Sequence, residues 1–188
     1  MNRLKAFIEN NVQGWKVLSL FVLTNVVYGL MLAVTIPETM AFANGMKLLD
    51  MMPLGYDLEY VIELFSALGV QGRSTYLTCQ IPVDMVYPFL FGCSYSLLFG
   101  YLLKKLNRLD SLLFYACALP ILAGTADYLE NIGIIVLLNT YPDVMPIEVQ
   151  LTMLCSLTKS LTTSLYFILL IMVLIWLGLN LLLKSKKT

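Results

Sequence analysis

Four apolar runs, at residues 17–36, 75–103, 111–138 and 147–183, dominate the chain. Each reaches or exceeds the roughly 20 residues that an α-helix needs to cross the hydrocarbon of a bilayer. In hydrocarbon a lone segment satisfies its backbone only as a helix. The predicted fold is an all-α membrane protein, a four-transmembrane-helix antiparallel bundle, with residues 1–188 forming a single integral membrane domain. Charged residues make up only 13% of the chain, about half the share in a soluble domain. The basic start and the later Ala41-Phe42-Ala43 imitate a secretory signal. However, the first run is longer than the usual apolar core of roughly 7–15 residues, so it reads as a retained first helix.

Basic residues set the orientation. Arg3, Lys5 and Lys16 precede the first run, Lys104, Lys105 and Arg108 separate the second from the third, and Lys184, Lys186 and Lys187 follow the fourth. An even number of crossings puts all three regions on one side, and the positive-inside rule makes that side cytoplasmic. The long 37–74 connection then lies outside. Within it, Leu58, Val61, Ile62, Phe65 and Leu68 recur at helical spacing behind Asp57, a suitable N-cap, and ahead of Gly69, a suitable stop. Residues 58–68 are therefore expected to form an amphipathic helix in the long outer loop between helices 1 and 2, lying on the membrane or capping the bundle.

The same composition excludes several chemistries. Histidine is absent, which removes the commonest metal ligand and near-neutral base. Cys79, Cys93, Cys117 and Cys155 form no CxxC pair for exchange with a quinone. No cofactor and no metal are expected. With 12 basic and 12 acidic residues, no charge excess calls for nucleic acid.

The apolar runs do not explain their own charges. Asp84 lies nine residues after Thr75, Asp127 eleven before Leu138, and Lys159 twelve after Ile147. At about 1.5 Å per residue, all three sit roughly 14–18 Å below the outer boundary. Asn25, eleven residues before Ile36, is expected at the same level. Gln80, Asp84, Tyr87 and Phe91 share one helical face, with Arg73 and Tyr76 above; Gly124, Asp127, Glu130, Asn131 and Ile134 share another; Thr152, Ser156, Lys159, Thr162, Thr163 and Tyr166 a third. Such faces turn inward, because a charge facing lipid at mid-membrane costs roughly 2.5–3.5 kcal/mol.

The expected result is a buried charge network. Asp84, Asp127 and Glu130 outnumber Lys159 even if Arg73 reaches down from the rim, and a proton, a cation or a ligand's positive group would restore balance. The candidate binding residues are Asp84, Asp127, Glu130, Asn131, Lys159, Asn25, Gln80, Tyr87 and Arg73. They suggest an outward-side polar pocket that binds or transports a small cationic or zwitterionic molecule, a lipid headgroup or a proton. Two alternatives stand beside this. One is an accessory subunit of a membrane complex whose polar residues only fix helix register. The other is a membrane enzyme using carboxylate acid/base chemistry on a lipid-like substrate, although no nucleophile is identifiable. The partners considered are the lipid bilayer, a small-molecule or lipid ligand, and a protein partner or second copy.

Three pieces of the chain also resemble a known pattern: Gly55-Tyr56-Asp57 leading a helix to Gly72-Arg73, Asp84-Met85-Val86-Tyr87-Pro88, and Asp127-Tyr128-Leu129-Glu130-Asn131 with Lys159. Together they resemble a loose set of uncharacterised small bacterial four-helix integral membrane proteins with no assigned activity. The resemblance implies the topology, a bacterial inner membrane and the importance of these residues; it supplies no chemistry. Four-helix sterol-isomerase-like proteins also place acids in a bundle pocket, but their catalytic histidine has no counterpart here. The orientation is open to a direct check. A fluorescent protein that matures only in the cytoplasm should glow when fused after residue 107 or 188 and stay dark after residue 143. A bright fusion at 143 would contradict the assignment.

Overall fold

The computed structural model describes residues 2–185. Every described element is a helix, and four stretches are long and apolar enough to cross a membrane: Gly14–Met40, Leu58–Lys105, Leu112–Thr140 and Pro146–Leu183. We label them in chain order: α1 is Asn2–Asn11, α2 is Gly14–Met40, and α3 is Leu58–Thr75. The chain then forms α4 (Ile81–Asp84), α5 (Tyr87–Lys105), α6 (Leu119–Thr140) and α7 (Pro146–Ser185). Lys186 and Lys187 of the basic tail lie outside the described residues.

Prolines shape these helices. Pro37 and Pro82 each follow a single wide π turn, Met31–Thr35 and Tyr76–Gln80. A proline lacks the N–H of the helical ladder and its ring crowds the carbonyl four residues back; the wider turn takes up that mismatch. Helix α2 therefore passes its proline and ends at Met40 rather than Ile36. The two π turns are tied together, because the Thr35 hydroxyl donates to the Gln80 side-chain oxygen. Pro120 acts differently: the third apolar run opens as the tight helix Leu112–Ala118, and the α-helix starts only at Leu119.

The helix predicted at 58–68 begins as expected, with the Asp57 carboxylate accepting from the Tyr60 backbone N–H at 2.9 Å. It buries Val61, Leu64, Phe65 and Leu68, while Leu58 and Ile62 are only half-buried. Gly69 is a kink rather than a stop. Its backbone (φ 61°, ψ −172°) lies in a region open to glycine alone, and α3 resumes beyond it to Thr75. The polar lead also folds. In α1 the buried Ile8 sits over Gly100 of α5, where a Cβ would come within 2.4 Å of it. Lys5 pairs with Asp110, which raises the Lys5 pKa by hydrogen bond and charge. Asn107 (φ 54°) closes α5, with the Arg108 N–H returning to the Leu103 carbonyl and the Asn107 N–H to Lys104, a left-handed cap.

Helix α2 packs on α5, α5 on α6 and α6 on α7; among the described residues no comparable packing joins α2 to α7. Glycines set the close approaches. A Cβ on Gly124 would lie 2.6 Å from the Pro88 carbonyl oxygen, and one on Gly133 would lie 2.2 Å from the Thr152 hydroxyl. Buried apolar residues gather in two clusters, one around Phe91, Tyr95, Phe99, Ala123 and Tyr166. The other is built around Leu64, Phe65, Ile81, Ile134 and Val149. Along the chain, Asp84 lies between Ile81 and Phe91, Asp127 and Glu130 between Ala123 and Ile134, and Lys159 between Val149 and Tyr166. On three helices, the charged residues separate the two clusters.

Gly124→Ala is expected to destabilise the protein by about 1–3 kcal/mol through overpacking against backbone. Gly29→Ala, with nothing within 4 Å of the new methyl, should be neutral or stabilising by up to about 1 kcal/mol. Unfolding in detergent micelles measures both.

Candidate functional site

The site begins with a missing hydrogen-bond donor. Pro88 has no N–H to offer the Asp84 carbonyl four residues earlier. That freed oxygen accepts from the Asn131 amide of α6 at 3.4 Å. The chain bends between α4 and α5, leaving the Asp84 carboxylate at a helix end, buried (3% exposed) and lining a cavity. One helical turn beyond the Gly124 contact, α6 presents Asp127 (5% exposed), followed by Glu130 and Asn131, both fully buried. The whole predicted stripe Gly124, Asp127, Glu130, Asn131 and Ile134 is buried.

Lys159 of α7 answers two of these acids. Its ammonium lies 3.1 Å from Asp127 Oδ1 and pairs with Glu130 Oε2. Its side chain retains 20% of its exposure. Among the described residues, Glu130 Oε1 and Asn131 Oδ1 have no hydrogen-bond partner. The Tyr56 hydroxyl is likewise buried and unpartnered. Burial first, and the charge of Glu130 second, raise the Tyr56 pKa, so the phenol keeps a proton that nothing accepts.

A cavity of about 450 Å³ opens beside this group. Asp84, Asp127 and Lys159 line it together with Asp50, and Tyr28, Tyr87 and Phe91 supply aromatic walls. The Tyr28 and Tyr87 rings stack at 5.4 Å. Asp50 is the residue that sequence reasoning missed. It sits on the short turn Leu49–Met51, seated by the fully buried Leu48 and Leu49. Its carboxylate accepts from the Tyr76 hydroxyl at 2.6 Å and from the Gln80 amide at 3.0 Å. The available signal was the carboxylate inside Leu48-Leu49-Asp50-Met51-Met52, an apolar stretch within a loop otherwise read for its helix.

The predicted residues divide. Asp84, Asp127, Glu130, Asn131 and Lys159 come together; Tyr87 forms cavity wall, and Gln80 stands behind Asp50. Asn25 and Arg73 stand apart. The exposed Asn25 side chain donates to the Phe21 carbonyl at 2.7 Å and accepts at 3.5 Å from the hydroxyl of Tyr95, which lies about three helical turns past Asp84. Its depth was miscounted because α2 runs on to Met40, so a count from Ile36 starts too deep. Arg73 donates to the Phe65 carbonyl at 2.6 Å and lies 4.5 Å from the centre of the Tyr141 ring. It braces the kinked helix and brings no charge to the cavity.

The acids therefore outnumber the cations by more than the sequence suggested. Asp127 and Glu130 share Lys159, while Asp50 and Asp84 have no cationic partner among the described residues. No family model matches this chain, and neither a curated protein nor a solved structure is similar to it. Removing Lys159 tests how the charges support each other. Lys159→Met alone should cost about 3–5 kcal/mol, because it leaves buried carboxylates uncompensated. Adding Asp127→Asn and Glu130→Gln should recover most of that loss in the same unfolding assay.

Proposed function

We propose that this cavity binds a small molecule carrying a positively charged amine. The observation that carries the reading is the pair Asp50 and Asp84, two carboxylates on one cavity that form no ion pair among the described residues, Lys159 being held by Asp127 and Glu130. A volume of about 450 Å³ falls within the roughly 300–1,000 Å³ typical of small-molecule pockets. The faces of Tyr28, Tyr87 and Phe91 suit an ammonium, which is drawn to the negative face of an aromatic ring. Lys159 does not oppose such a ligand strongly, since two acids already neutralise it.

The setting is a four-span antiparallel bundle in a bacterial inner membrane with both termini cytoplasmic. The alternating order of the two apolar clusters along α4 and α5 taken together, α6 and α7 supports the antiparallel arrangement. The basic residues support the orientation. Asp50 and Met51 of the turn at 49–51, with Pro53, then close the outward end of the cavity. Toward the other end, Tyr95, Phe99, Tyr166 and Phe167 pack ring against ring. This closed aromatic layer favours binding over passage through the bundle.

Ethylammonium is a suitable probe, because a ligand that binds only the folded state raises its melting temperature. Millimolar ethylammonium should raise that of the detergent-solubilised wild type, and acetate should not. Asp84→Asn should weaken the response about 10–100-fold, the equivalent of one hydrogen bond to a charged group at roughly 1.5–3 kcal/mol. Equal binding by wild type and variant would overturn the proposal.

A further inference from the structure

The cavity is unevenly walled. Asp50, Met51 and Pro53 close one end, and Asp84, Phe91, Ala123 and Asp127 of α4, α5 and α6 form the back. The remaining wall comes from α2, through Tyr28 and Leu32, and from α7, through Ser160, Thr163 and Ser164. Among the described residues, these two long helices make at most marginal contact with each other. The unsealed side of the cavity is therefore the seam between α2 and α7. Leu32, Leu161 and Leu165 flank it and are exposed, as side chains facing hydrocarbon are.

The hydroxyls on that seam are unusual within their own helix. Thr152, Thr158 and Thr162 each return a hydroxyl to the carbonyl four residues back, at 2.7–2.8 Å, the ordinary fate of a hydroxyl in a helix. Ser160, Thr163 and Ser164 make no hydrogen bond among the described residues, yet all three line the cavity beside Lys159. They are donors with no acceptor among the described residues, on one cavity with Asp50 and Asp84, which form no ion pair there. A ligand matching both carries an ammonium group and, a few bonds away, acceptor oxygens.

Resting on the amine-binding reading above, we infer that the ligand is a membrane lipid with a zwitterionic amine headgroup, taken in sideways between α2 and α7. Its ammonium meets Asp84 and Asp50, its phosphate oxygens meet the hydroxyls of Ser160, Thr163 and Ser164, and its chains stay in the seam. The small side chains of Ser160 and Ser164 keep the slot open at one-turn spacing. The apolar flanks suit acyl chains, and a water-soluble amine has no use for them.

Native mass spectrometry of the full chain, released from mixed micelles, separates the sources of the amine. The probes are dioleoyl phosphatidylethanolamine, dioleoyl phosphatidylglycerol and the chain-free glycerophosphoethanolamine. On the wild type, the ethanolamine lipid should be retained at least tenfold more than the glycerol lipid or the chain-free headgroup. Ser160→Leu combined with Ser164→Leu, which fills the slot, should abolish lipid retention. Equal retention of both lipids, or retention untouched by the leucine pair, identifies ordinary surface lipid and overturns the inference. An ethylammonium response that depends on Asp84, without selective lipid retention, overturns lateral capture and leaves amine binding standing. Absence of both responses overturns the two together. The wild-type lipid comparison requires no variant to fold.

Discussion

A lysine placed midway along a helix apolar enough for a bilayer must be met by acid at its own level, and the arrangement around Lys159 follows from that demand. Asp127 and Glu130 meet it only because α6 and α7 approach closely at Gly133 and Thr152. Helix α6 in turn sits against α5 through Gly124 and the Pro88 carbonyl. The ion pairs add little net stability by themselves, since desolvation offsets most of the attraction. What they fix is register: sliding α7 by one turn would carry Lys159 away from both acids. With register fixed, Asp84, Asp127 and Lys159 all face one cavity.

Irregular backbone gathers where the cavity lies. The Met31–Thr35 π turn, the bend between Asp84 and Pro88, and the turn at Leu49–Met51 contribute to its wall, and the Tyr76–Gln80 π turn reaches Asp50 through Gln80. Regular helices keep their polar backbone atoms to themselves, and non-helical backbone is tolerated at depth only where protein or a cavity can satisfy it. Here the debts are met locally: Asn131 serves the Asp84 carbonyl, and Thr35, Gln80 and Asp50 form a chain of side-chain hydrogen bonds. The prolines create the openings that these side chains then occupy.

Much of this was readable from spacing. Hydropathy located the four long helices, and the period of 3.6 grouped Asp127, Glu130 and Asn131 on one face, because both signals are local. Asp50 was not readable, since its importance arises from Leu48 and Leu49 folding a loop segment back between helices. Asn25 was misplaced because the count assumed that α2 ends at Ile36, before its proline, whereas a π turn carries it past. Arg73 was given a reach it does not have, because the kink at Gly69 turns its guanidinium toward Phe65 and Tyr141. Failures of this kind have one source. A count along one helix does not report where its neighbours bend.

The order of the charges along the chain has a consequence for synthesis. Asp84 leaves the ribosome first, Asp127 and Glu130 next, and Lys159 only with the last helix. Until that helix arrives, Asp127 and Glu130 have no cationic partner, at roughly 2.5–3.5 kcal/mol for a charge at mid-helix in a bilayer. In a bilayer, stable insertion of the third apolar helix would thus be coupled to translation of the fourth. A chain interrupted before Lys159 would present the quality-control machinery with unpaired acids in hydrocarbon, and the completed chain hides them.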